Sequence, residues 1–136
     1  MRVTFTVPGK PRGKGRPRVV NGHAYTDPQT YQYEQLIKIS YLNSVPARNR
    51  MHEGPLVVEL QADFAPPESW SKKRKAMAME GGLPHTSKPD LDNIVKCLDA
   101  LNGLAWHDDS QIIGIVARKE YRDRDLLTIS IAEAEL

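Results

Sequence analysis

The chain opens with Val3, Phe5 and Val7 alternating with Arg2, Thr4 and Thr6, the period of a strand with one buried face. The same period returns more strongly from Leu56, where Val58, Leu60, Ala62 and Phe64 alternate with Val57, Glu59, Gln61 and Asp63, until Pro66-Pro67 ends the run. Gln111 to Tyr121 is also predicted as a strand. It carries Ile113, Ile115 and Ala117 on one side and Ile112 and Val116 on the other, which predicts a central place in the sheet. After the polar turn Arg122-Asp-Arg-Asp125, Leu127, Ile129 and Ile131 alternate as a closing strand. Asn21-Gly22, set between short β-forming runs, predicts a tight hairpin.

The helical period of 3.6 appears three times. Asp27-Pro28 supplies a cap and a first position for a helix to about Ser44, with Tyr33, Leu36, Ile37, Ser40 and Tyr41 as its buried stripe. Ser69 or Ser71 caps a shorter helix that stops at Gly81-Gly82. Ser87 is predicted to cap a third, with Pro89 in its first turn and an end near Asn102. Its Leu91, Ile94, Val95, Leu98 and Leu101 face a core. These elements predict a single α+β domain over residues 1–136, a mixed sheet of about four main strands packed with helices.

A chain of 136 residues can bury such a core without metal or disulfide staples. Its one cysteine, Cys97, falls inside the third helix and has no internal partner, which fits a reducing compartment. No apolar run approaches a membrane span and the first residues lack a signal-peptide layout, so the expected location is the cytoplasm, with no membrane partner.

Charge adds more than its total of +2 suggests. Residues 1–88 hold 14 Lys/Arg against 7 Asp/Glu, whereas residues 89–136 hold 5 against 10. Lys10, Arg12, Lys14, Arg16 and Arg18 stand at every second position among glycines and prolines that forbid a helix. In an extended backbone they form one stripe able to follow phosphates, with Lys14, Arg16 and Arg18 as the leading contacts. Lys72, Lys73, Arg74 and Lys75 crowd the first turn of the second helix, where the dipole disfavours cations. Phosphate capture and a plain solvated face both account for that misfit.

The candidate chemistry lies in Lys88-Pro-Asp-Leu-Asp-Asn93 and Trp106-His-Asp-Asp109. Asp92, Lys96 and Asp99 recur at i, i+4 and i+7 on the polar side of the third helix. Asp90 converges with Asp92 only from the opening turn. Clustered carboxylates repel one another unless a cation sits among them, and magnesium takes oxygen ligands. Read structurally, Asp90 and Asp92 are acids favouring a helix N-terminus and Lys96 is a surface partner. Adjacent acids on a strand point to opposite faces, so only one of Asp108 and Asp109 belongs to a site. Zinc chemistry lacks ligand spacing, an EF-hand fails at Val95 where glycine is needed, and no phosphate-cradling glycine motif is present.

The run Lys88-Pro-Asp-Leu-Asp-Asn, with Lys96, Asp99-Ala-Leu-Asn-Gly103 and Asp108-Asp-Ser-Gln111, resembles the RusA family of Holliday junction resolvases. The basic Gly-Lys-Gly-Arg-Pro-Arg18 and Ser71-Lys-Lys73 segments resemble the family as well. The resemblance implies a magnesium-dependent, homodimeric endonuclease acting on branched DNA, with one or two ions per site. It implies metal ligation by Asp90, Asp92 and Asp109, a catalytic Lys96, and DNA contacts from Lys14, Arg16, Arg18, Lys72, Lys73 and Lys88. Resolving a four-way junction takes two symmetric nicks, hence a twofold dimer. Two other classes stay open. One is a junction- or single-strand-binding module that does not cut; the other is a metal-dependent enzyme on small phosphate esters.

Overall fold

The fold is taken from a computed structural model, which describes residues 1–135. Strand β1 (Arg2–Pro8) buries Val3, Phe5 and Val7 as its alternation requires. A basic segment leads to the small hairpin β2 (Arg18–Val20) and β3 (His23–Tyr25). Its turn puts Asn21 at φ 52° and Gly22 at φ 79°, the left-handed pair that the Asn-Gly sequence favours. Helix α1 (Pro28–Ser44) is capped by Asp27, whose carboxylate accepts from the Thr30 amide at 3.2 Å. Its buried stripe is Thr30, Tyr33, Ile37, Ser40 and Tyr41.

Strand β4 (Leu56–Phe64) buries every second side chain from Leu56 to Phe64. Helix α2 (Lys72–Met79) starts at Ser71, whose hydroxyl accepts from the Arg74 amide at 3.1 Å. Helix α3 (Leu91–Val95) continues as a 3-10 helix from Lys96 to Leu101. Strands β5 (Ile112–Tyr121) and β6 (Leu126–Glu133) complete the chain. The sheet order is β1-β6-β4-β5; β6 is antiparallel to both neighbours, and β4 and β5 are parallel. The expected α+β domain with a mixed four-stranded sheet is thus the one found. Helix α1 packs on β1 and on the 3-10 extension of α3, with the Tyr41 ring edge-on to Phe5 at 5.1 Å. Trp106 is fully buried and is the largest such side chain.

Two expectations change. The third helix does not begin at Ser87: its first residue is Leu91, Asp90 takes the cap position, and Pro89 lies before it. Its second half tightens to 3-10 geometry and ends at Leu101, followed by Gly103 at φ 80°. Strand β5, predicted to be central, is an edge strand paired with β4 alone. Three of its apolar residues are not covered: Ile113 is 61 %, Val116 54 % and Ile115 44 % exposed, whereas Ile112 and Ala117 pack against the core.

Two imidazoles are buried without full pairing. His85 lies against the rings of Phe64 and Tyr121, and its Nδ1 has no partner. His52 is enclosed with its Nε2 unpaired. Burial holds both below their ordinary 6.5, with Lys119 and Lys10 adding to the effect at His85. A histidine depressed in the folded state stabilises fully above its unfolded pKa, and that stability is lost as pH falls through the folded value. The urea midpoint of the protein is therefore expected to fall as pH drops below about 6.5. In His85→Phe, which keeps the ring stacking, the decline should be shallower; an unchanged slope in that variant would show that His85 protonates equally in both states.

Candidate active site

The segment that opens α3 is fixed from below by the sheet. Lys119 stands on the face of β5 that carries Ile115, Ala117 and Tyr121, across from Ala62. Its ammonium donates to the carbonyls of Ser87 at 2.7 Å and Pro89 at 3.0 Å. With that loop held, Asp90 reaches the cap position of α3, although its carboxylate caps nothing. It instead accepts from Lys88 Nζ at 2.9 and 3.1 Å, and this pairing, with Lys119 nearby, holds its carboxyl below the usual range. Asp92 lies in the first turn, exposed, where the helix dipole favours an anion. Lys96 is exposed one turn further on, with its ammonium 3.4 Å from the Asn93 amide oxygen.

The basic segment between β1 and β2 is tied to this helix. The Lys14 amide donates to the Asn93 carbonyl at 2.8 Å, the Gly15 amide to Thr30 Oγ1 at 2.8 Å, and the Cys97 thiol to the Arg12 carbonyl at 3.4 Å. Gly13 fits because a Cβ there would lie 3.0 Å from that of Asn93 and 3.2 Å from that of Pro89. Burial pushes the Cys97 thiol up to about 12, which removes it as a nucleophile. The five cations of the segment, expected to form one stripe, divide. Lys14 Nζ lies 3.0 Å from Asp99 and 3.5 Å from Glu34, and the Arg18 guanidinium lies 3.1 Å from Asp27. Lys10, Arg12 and Arg16 are exposed and without an acidic partner among the described residues. Lys14 and Arg16 share a cleft of about 570 Å³ with Asp92, Asn93, Lys96 and Asp99.

The second acidic pair is equally well defined. Asp108 caps the single 3-10 turn Asp109–Gln111, accepting from the Ser110 amide at 3.0 Å, and this bonding lowers its carboxyl pKa. The Gln111 side chain closes the box by accepting from the Asp108 amide at 3.0 Å. Asp109 faces the other way and accepts from the indole of buried Trp106 at 2.8 Å. Neither residue lies in a strand, so strand alternation does not separate them; their bonds differ because Asp108 caps the turn and Asp109 meets the Trp106 indole.

The expected convergence of Asp90, Asp92 and Asp109 does not occur within one chain. Among the described residues, no three His, Cys, Asp or Glu side chains lie together as a metal site. The reason is topological. Asp109 immediately precedes β5, whereas the Asp90 loop is bonded to Lys119 near the strand's far end. At ~3.3 Å per residue, Ile112 and Lys119 are about 20 Å apart. The carboxylates have the oxygen chemistry that magnesium prefers, but a single chain does not assemble them. Among the remaining expected contacts, Lys72 and Lys73 are exposed in the first turn of α2, beside Arg74 stacked 3.9 Å over the Trp70 ring. Lys119 and Glu34 escaped the sequence reading, and Asp99, placed there on the polar side of the third helix, was not linked to Lys14. The only signal for Lys119 was a cation in the otherwise apolar core-facing register of the strand.

The model of the endodeoxyribonuclease RusA family matches residues 8–132. The uncharacterised protein YqaN of Bacillus subtilis (strain 168) is 35 % identical over 140 residues, covering 96 % of each chain. Basic segment, acidic helix and capped Asp109 all fall inside the matched region, and the chain belongs to the RusA endodeoxyribonuclease family.

Proposed function

We propose that the protein is a cytoplasmic, homodimeric endodeoxyribonuclease that resolves four-way DNA junctions by paired nicks, with magnesium as its cofactor. The observation that carries this reading is the cleft that Asp92 and Lys96 share with Arg16. Carboxylate oxygens and cations meet there on a surface suited to a phosphodiester. Lys96 steadies the scissile phosphate or the departing oxygen, and Arg16, Lys72, Lys73 and Lys88 hold flanking phosphates. Magnesium, when bound, polarises the phosphoryl group and lowers the pKa of a water.

The dimer follows from the same geometry that separates the acids. Strand β5 offers a free edge with Ile113, Ile115 and Val116 exposed, an aggregation liability unless something covers it. Two junction nicks call for a second copy, and a twofold axis crossing the middle of β5 sets the strands antiparallel. The start of β5 in each copy then meets the end of β5 in the other. Asp109 of the second copy comes beside the loop of Asp90 and Asp92, so the three carboxylates gather across the interface. The separation of the acids in one chain also favours a second reading, a branched-DNA-binding module that does not cut.

Mixed dimers discriminate between these readings. Asp92→Asn and Asp109→Asn should each abolish cutting of a labelled synthetic junction with magnesium while leaving binding in place. Co-refolded together, they should regain nicking of one strand, because one site in each mixed dimer carries no substitution. No recovery on mixing would reject the shared site, and cutting by either variant alone would reject that residue's role. Ile115→Glu should shift the mass in light scattering from dimer to monomer and abolish cutting. A monomeric wild-type protein that still resolves junctions would overturn the dimer.

A further inference from the structure

We propose that the cleft on the far side of the basic segment from Asp92, walled by Lys10, Arg12 and Lys88, binds a backbone phosphate of the DNA, while Lys14 and Arg18 serve to hold the segment in shape. The proposal rests on the nuclease reading above and assigns a subsite within it.

The cleft has a volume of about 470 Å³ and runs between the segment, the first turn of α1 and Pro89. Lys10 and Arg12 line it from the segment and Lys88 from the opposite wall. Neither Lys10 nor Arg12 has a carboxylate within reach among the described residues. The one acid in the wall, Asp27, is occupied: it accepts from the Thr30 amide and pairs with Arg18. Lys88 is held by Asp90 but is strongly exposed, so its ammonium can turn to a phosphate when one arrives.

The backbone around these cations is fixed before any ligand binds. The Arg12 carbonyl accepts from Cys97, the Lys14 amide donates to Asn93, and Gly13 sits against Asn93 and Pro89 with no room to move inward. A cation on a fixed backbone loses less entropy on meeting a phosphate than one on a mobile tail. Lys14 and Arg18 differ in that their charge is already paired within the chain. The alternation thus sorts the segment into groups that face DNA and groups that keep it in place, and both clefts flank the opening of α3.

Salt dependence of junction binding tests this, measured in chelator so that nothing is cut. Removing one cation that meets a phosphate should lower the slope of log K against log salt by about 1, and Lys10→Gln with Arg12→Gln together by about 2. Arg2→Gln, on the opposite face of β1 and paired with Glu59, should leave the slope unchanged. Lys14→Gln should also leave the slope near wild type but speed tryptic cleavage at Arg12 and Arg18. Equal slopes for wild type and the Lys10/Arg12 variant, with wild-type cutting intact, reject the cleft and leave the nuclease reading standing. An equal decrease in Arg2→Gln or Lys14→Gln also rejects it, since the attraction would then be diffuse. A wild-type protein that neither binds nor cuts junctions brings down both.

Discussion

Parallel pairing of β4 with β5 is the constraint from which the rest of the molecule follows. Parallel neighbours cannot be joined by a tight turn, so the chain must leave one end of β4 and return to the other end of β5. That return is the stretch from Ala65 to Gln111, and it carries α2, α3, Lys88, Asp90, Asp92, Lys96 and Asp109. The candidate chemistry thus lies on one crossover, and its acids are delivered to opposite ends of the strand they flank. Lys119 fastens one end through the Ser87 and Pro89 carbonyls, and Trp106 fastens the other through Asp109. Both anchors are hydrogen bonds made by groups at least partly shielded from water, where leaving a partner unpaired costs more than at the open surface.

The strands, the hairpin, the long helix and its cap were legible because each rests on local chemistry. Alternation fixed the buried faces of β1, β4 and β6, Asn21-Gly22 fixed the turn, and Asp27-Pro28 fixed the start of α1. Ser87-Lys-Pro89 misled because a hydroxyl before a proline is a common helix opening, yet here the loop is committed to Lys119 and α3 starts later. The place of β5 misled for a different reason. Apolar side chains on both sides argue for cover on both sides, but a strand's own sequence does not say which neighbours pair with it, and β5 pairs with β4 alone.

The candidate site could be drawn from the sequence as a motif but not as a geometry. D-x-D-N, Lys96 and D-D-x-Q are candidates by type and spacing, and the capping box of Asp108 and Gln111 accounts for half of the last motif without any catalysis. That box occupies Asp108, while Asp109 is engaged by the Trp106 indole alone among the described residues. What spacing along a chain does not carry is which end of a strand a crossover reaches, and that depends on sheet order.

Charge makes the same point quantitatively. The first 88 residues carry a formal surplus of seven positive charges, but several of those charges never reach solvent as free cations. Glu34 and Asp99 neutralise Lys14, Asp27 neutralises Arg18, and Lys88 is held by Asp90 until something displaces it. Exposed charges more than about a Debye length apart are screened, so a polyanion responds to local residues and not to the total. What remains around the opening of α3 is Lys10, Arg12 and Arg16 on the segment, with Lys96 and Asp92 across from them. The pairing of Lys14 and Arg18 with the chain's own acids is therefore what breaks a uniform basic stripe into paired cations and the unpaired Lys10, Arg12 and Arg16 among the described residues.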